Sequence, residues 1–312
     1  MLVVGELPDP VPGPGEVRVR LAVSGANPSD VKSRRSRPLN AEKIIPHSDG
    51  AGVIDQVGPG VSKARLGERV WVWNGQWKRP FGTACELIAL PQAQAVALPS
   101  GVDFTTGACL GIPALTAVQA IRLAGPLDGR TVLVTGAGNA VGHYVTQLAA
   151  KQGARVIGIV GSPERGAHAQ ASGAHELINY KTEAVAQRVL DLTQGRGVDV
   201  IVDMDFSTTA KLLEQGALRP HGQLVGYGSN NPGEVAVNFR SLLWGSLGLK
   251  FFLVYDLSAE DRRQCIDTLT GLLEAKGLRH QVGQTFPLSD IAAAHEAVES
   301  GKVIGNVVLT LG

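Results

Sequence analysis

From residue 131 onward, apolar runs alternate with helical stretches, and this alternation constrains the fold more than any other feature of the chain. TVLVT, ARVIGIV, HELIN, GVDVIVDM, GQLVGYG and LKFFLVY read as strands, and NAVGHYVTQLAAKQG, SPERGAHAQASG, TEAVAQRVLDLT and TTAKLLEQGAL read as helices between them. Such a succession predicts βαβ units and a parallel, doubly wound α/β sheet. Its first turn lies in VLVTGAGNAVG. Val132 to Thr135 form a buried-strand run, and Val141, Val145, Leu148 and Ala149 then recur on one helical face. At such a turn the amides of the helix start face an anion, and the helix dipole favours negative charge. Gly136, Gly138 and Gly142 suit that seat, although their spacing is GxGxxxG rather than GxGxxG. Alone the glycines fit a plain βα turn equally well. The strand, helix and second strand around them point to a dinucleotide.

The tip of the second strand reads Val160, Gly161, Ser162, Pro163, Glu164, Arg165, with no acid at the tip itself to bond ribose hydroxyls. Ser162 and Arg165 suit a 2′-phosphate, so NADPH is expected over NADH; Arg165 also reads as a solvated helix residue.

Ahead of Ala108 the pattern differs. Short runs such as EVRVRLAVSG, AGVIDQVGPGV and RVWVW are punctuated by Gly and Pro, which predicts a compact antiparallel β-domain. At 312 residues two domains are expected. We place the first at 1–107, completed by 256–312, and the second at 108–255. In the return, SAEDRRQCIDTLTGLLEAKG and SDIAAAHEAVESG read as helices, the latter with Ser289 as N-cap and Gly301 as stop. The 29 basic and 28 acidic residues leave no field for nucleic acid or an anionic membrane. Cys85, Cys109 and Cys265 are too scattered for a disulfide framework or a CxxC knuckle, so a reducing cytoplasm is expected. No signal-like start or long apolar span is visible.

The order of parts, together with GANPSDVKSR, PHSDGAGVIDQVGPGV, GIPALTA, VTGAGNAVGHYVTQLAAKQGA, SGAHELINY and AHEAVESG, resembles the medium-chain dehydrogenase/reductase superfamily. Within it the chain resembles the zinc-independent, zeta-crystallin-like quinone oxidoreductases, which pair a GroES-like β-rich domain with a Rossmann domain. The resemblance implies that backbone from Gly138 through Asn139 and Ala140 to Val141 meets the pyrophosphate. It puts Gly161, Ser162 and Arg165 at the adenosine phosphate, Tyr180 at the adenosine end, and Gly228 and Ser229 against the cofactor. It further implies that main chain from Phe251 to Leu253 bonds the nicotinamide amide, with Asn27 and Thr116 lining its pocket. Tyr180 also reads as a packing residue.

Departures from the family matter. Where it carries a glycine pair, this chain has Asn139-Ala140, and Asn139 is expected to stand in by tolerating positive φ. Lys32 occupies a position where the family often has tyrosine, and Asn306 follows Gly305 in place of lysine. The catalytic zinc ligands of related alcohol dehydrogenases correspond to Asn27, Ser48-Asp49 and the region of Ile112, and no cysteine lobe lies between Arg69 and Gly82. No metal is expected, and His47 beside Pro46 reads as a satisfied loop residue.

Without a Lewis acid an alkoxide is hard to stabilise, whereas a quinone or enone delocalises the charge of an incoming hydride. Asn27 is therefore expected to orient substrate. Lys32 either stabilises the developing oxygen charge or is a solvated lysine. Trp71, Trp73 and Trp77 either wall a planar ring or pack a strand. Loops 32–46 and 71–82 are expected to shape the pocket. The expected activity is NADPH-dependent quinone reduction, with reduction of an enone, alkenal or acrylate double bond as the alternative. From another class, a crystallin-like protein that holds NADPH without turnover remains open. LKFFLVY is apolar enough to pair across a two-fold axis in a homodimer.

Overall fold

The computed structural model describes residues 2–36, 38, 41–231 and 233–312, and these form two compact units, residues 1–114 with 269–312 and residues 115–268. The first unit opens with β1 (Glu16–Ala26), α1 (Pro28–Ser36), β2 (Asp49–Val57), β3 (Arg69–Val72), β4 (Leu87–Pro91), β5 (Ala95–Ala97) and the short α2 (Phe104–Gly107). β1 alternates as the sequence requires, with Val17, Val19, Leu21 and Val23 inward and Arg18 reaching Asp55 on β2 at 2.9 Å. Trp71 is fully buried in β3 between Val70 and Val72, so it packs the strand and walls nothing.

The second unit begins with α3 (Leu115–Ala124), then β6 (Thr131–Thr135), α4 (Gly142–Lys151), β7 (Arg155–Val160), α5 (Pro163–Ala171), β8 (Glu176–Asn179) and α6 (Val185–Leu192). It continues through β9 (Val198–Asp203), α7 (Phe206–Thr209), α8 (Lys211–Glu214), β10 (Leu218–Gly226), α9 (Phe239–Trp244) and β11 (Gly248–Phe251). All pairs are parallel and the order is β11-β10-β9-β6-β7-β8, the doubly wound order with its switch point between β6 and β9. β6 and β9 are buried along their whole length, as covering both faces demands. Two expected elements are shorter than predicted. TTAKLLEQGAL breaks into α7 and α8 around Ala210, and LKFFLVY is strand only to Phe251 before a 3-10 turn at Val254–Asp256.

α10 (Ala259–Glu274) crosses the division, its first turns held to α3 through Arg122–Asp261 and Cys265–Gln119. The chain then returns to the first unit with β12 (Val282–Pro287), α11 (Ile291–Ser300) and β13 (Asn306–Thr310). There β12-β13-β1-β2-β3-β5 form one sheet and β4 pairs β1 off that path. β1 serves two neighbours along one edge, β4 over its first half and β13 over its last. Gly301 ends α11 in the left-handed region at φ 61°, as expected. Ser289 does not cap it: the N-cap is Asp290, and the Ser289 hydroxyl bonds the Asp290 carboxylate instead. Among the described residues no helix is long and apolar enough to cross a membrane.

Candidate functional site

In the second unit the expected cofactor residues, Thr116 on α3 apart, lie at or after the carboxyl ends of β6, β7, β8, β10 and β11. Gly136 ends β6 with φ 64°, and its carbonyl accepts the Asn139 amide at 2.9 Å, closing a tight turn. A Cβ on Gly142 would stand 2.0 Å from the Gly136 oxygen, so the helix starts this close to the strand only with glycine there. Asn139 is not among the positive-φ residues, which corrects the expectation that it replaces a glycine conformationally. Its side chain acts instead: Nδ2 lies 3.0 Å from Met204 Sδ, and Oδ1 accepts from Arg165 Nη1 at 2.6 Å. The same Nη1 donates to the Gly138 carbonyl at 3.0 Å. Among the described residues no backbone carbonyl accepts from the amides of Ala140, Val141 or Gly142, the donors that a helix start leaves over. Leftover amides beside a guanidinium are donors of the kind that suit an anion.

The other expected cofactor residues lie in the same unit. Ser162 caps α5, its Oγ accepting the Arg165 amide at 3.4 Å. The Tyr180 ring is 2.8 Å from where a Gly161 Cβ would be, so Gly161 makes room for that half-exposed ring. A Cβ on Gly228 would lie 2.6 Å from the Met204 carbonyl oxygen, and Ser229 Oγ bonds the Asn231 carbonyl. Phe251 packs edge-on to Phe206 at 4.9 Å, with its side chain and that of Leu253 half-exposed. Asp203, buried beneath, accepts from Thr135 Oγ1 at 2.8 Å and Thr209 Oγ1 at 2.6 Å, and burial pushes its carboxyl up. Thr116 is buried on α3.

The first unit holds a separate buried polar cluster. Asn27, 4% exposed, donates from Nδ2 to Asp49 Oδ2 at 2.9 Å, and the Ile112 amide donates to the same oxygen at 3.0 Å. Asn27, Asp49 and Ile112, which the resemblance set at or near the zinc-ligand positions of alcohol dehydrogenases, are thus joined here through one carboxylate oxygen. The Asp49 carbonyl accepts from Thr83 Oγ1 at 2.6 Å and from Ser24 Oγ at 3.3 Å. Asp30 accepts the Asn27 amide at 2.8 Å as a cap on α1, and burial raises its carboxyl to about 7. Lys32 is exposed on α1. Of the two pocket loops, Arg37, Leu39 and Asn40 lie outside the described residues.

The sequence reading, which took His47 as a satisfied loop residue, named neither of its partners. Held at φ 74° and fully buried, its Nδ1 meets Ser24 Oγ at 3.0 Å, and its Nε2 meets Nε2 of His295, on α11, at 2.9 Å. Burial and the neighbouring imidazole lower His47 to about 3, while burial and the Arg34 charge lower His295 to about 4. With both values lowered, the rings are neutral at pH 7, and one of their two ring protons lies between the Nε2 atoms. Nothing local signals it, since 248 residues separate the rings. Among the described residues no group of His, Cys, Asp and Glu is gathered as a metal ion would need. All three thiols are free and raised by burial, Cys85 to about 12.

Comparison with known proteins accords with this geometry. Residues 13–100 match the alcohol dehydrogenase GroES-like domain, and residues 172–309 match the zinc-binding dehydrogenase model. A quinone oxidoreductase of Pseudomonas aeruginosa is 33% identical over 96% of this chain and 92% of its own. A 2-haloacrylate reductase of a Burkholderia species is 30% identical over 96% of this chain and 91% of its own. The crystal structure of Escherichia coli quinone oxidoreductase complexed with NADPH superposes with a TM-score of 0.86 at 25% identity, covering 99% of this chain and 94% of that one. With likeness of this extent across both units, the chain belongs to the medium-chain dehydrogenase/reductase superfamily, in its quinone oxidoreductase branch.

Proposed function

We propose that this protein is an NADPH-dependent oxidoreductase that reduces quinones without zinc. The observation that carries the cofactor is the turn after β6, where unclaimed amides of Ala140, Val141 and Gly142 adjoin the Arg165 guanidinium. Those donors fit a diphosphate and a 2′-phosphate, with Gly161, Ser162 and Tyr180 at the adenosine end and Gly228, Ser229 and the 251–253 backbone further along. When bound, NADPH supplies the hydride; with one proton, a quinone becomes its hydroquinone. Asn27, its amide group fixed by Asp49, orients the acceptor, and Lys32 offsets developing oxygen charge. Zinc independence is supported by the donors themselves. Asn27 and Ser48 are poor zinc ligands, and Asp49 Oδ2 already accepts two bonds.

Following NADPH oxidation with purified protein against a panel of quinones, alkenals and 2-haloacrylates tests the activity. Quinone turnover with no bound zinc by elemental analysis is expected. Turnover of haloacrylates or enones alone would favour the second reading, which the likeness to a 2-haloacrylate reductase supports. Tight NADPH binding with no turnover would leave the crystallin-like role. The free thiols accord with a cytoplasmic location.

A homodimer is part of the same proposal. Among the described residues β11 pairs only with β10, and the strongly exposed Phe239 and Trp244, with half-exposed Leu243, lie on the adjacent α9. Sedimentation should give a dimer, and Trp244→Glu should shift it towards monomer; a monomeric wild type would refute the assembly.

A further inference from the structure

Arg165 does not stand alone at the tip of β7. Its Nη1 is held by the Gly138 carbonyl and by Asn139 Oδ1, and Asn139 Nδ2 is held in turn near Met204 Sδ. The amide orientation follows from chemistry, because only its oxygen can accept from a guanidinium, which leaves the NH2 for the sulfur. β6 runs between β9 and β7. Met204 follows β9 and Arg165 lies in the first turn of α5, beyond β7, so the Asn139 side chain spans the switch point and is tied on both sides. α5 also comes close: a Cβ on Gly138 would lie 2.7 Å from the Arg165 carbonyl.

We propose that Asn139 is a positioning residue that sets the preference for the 2′-phosphorylated dinucleotide by holding the Arg165 guanidinium against the turn. The proposal rests on the NADPH reading above. A mobile arginine loses rotamer freedom when it engages a phosphate; one already held by two acceptors has lost that freedom on folding, so more of the ion-pair energy appears as affinity. NADH, lacking the phosphate, gains nothing from it. Asn139 therefore separates the two cofactors without touching the atoms in which they differ.

Fluorescence titration with NADPH and with NADH, on wild type, Asn139→Ala, Arg165→Ala and the double variant, tests this directly and without turnover. The wild type should bind NADPH more tightly. In Asn139→Ala the ratio of the two dissociation constants should fall about 5- to 20-fold, with NADPH weakened more than NADH. The double variant should discriminate no worse than Arg165→Ala, since both changes remove one device. Met204→Leu, which keeps volume and removes the sulfur acceptor, should give a smaller fall in the same direction. A wild-type ratio retained in Asn139→Ala would overturn the proposal. So would an equal weakening of NADH, which would make Asn139 a support of the turn in general. A wild type without NADPH preference would sink the cofactor reading, and this inference with it.

Discussion

Asp49 shows how much one carboxylate organises here. Its Oδ2 satisfies the Asn27 side chain and the Ile112 amide, and its carbonyl satisfies Thr83 and Ser24, all buried. Asp49→Ala leaves two buried donors without an acceptor and should cost about 2–4 kcal/mol in urea unfolding. Asp49→Asn, which keeps one acceptor oxygen, should cost less. Equal stability of wild type and Asp49→Ala would refute the account. The residue identities at 27, 49 and 112 were legible in the sequence through their place in family motifs, but the bond joining them was not, because its partners lie on separate elements. Asn139 is the opposite case. The sequence singled it out for its backbone, whereas the structure uses its side chain, whose partners Met204 and Arg165 lie 65 and 26 residues away.

The β6–turn–α4 element was the most legible part of the fold, because strand burial, glycine chemistry and helical periodicity agree over twenty residues of continuous sequence. Gly142 is its tightest point. Gly142→Ala should lower stability by about 1–3 kcal/mol through overpacking and should also weaken NADPH binding, since the helix start must move away from Gly136. A variant with wild-type unfolding and wild-type affinity would show that the close approach is not required. The start of α11 was harder to read: Ser289 and Asp290 are both good capping types in adjacent positions, and only the tertiary course of the chain into the helix selects between them. The strand at β11 was overextended for a related reason. FFLVY is as apolar as a buried strand, but after Phe251 the chain leaves the sheet.

Over the whole molecule, the His47–His295 pair makes stability depend on pH. The unfolded imidazoles take up protons below about 6.5, while the native ones resist until about 3 and about 4, so the unfolded state binds more protons in between. The pair's contribution is present above pH 6.5 and is lost as pH falls towards those native values. Asp30, raised to about 7, works in the other sense between its ordinary range and neutrality, and Arg34 and Glu299 beside His295 modulate its share. Relative to wild type, His47→Gly/His295→Leu should show a shallower rise in urea midpoint between pH 4 and 6.5, and Asp30→Asn a steeper one. Parallel profiles would rule the pair out. The buried thiols have a consequence of another kind. Quinones and enones are electrophiles that alkylate thiolates, and burial, which raises all three thiols, favours their unreactive protonated form. Reduction of such acceptors, as proposed above, would then leave these thiols unalkylated.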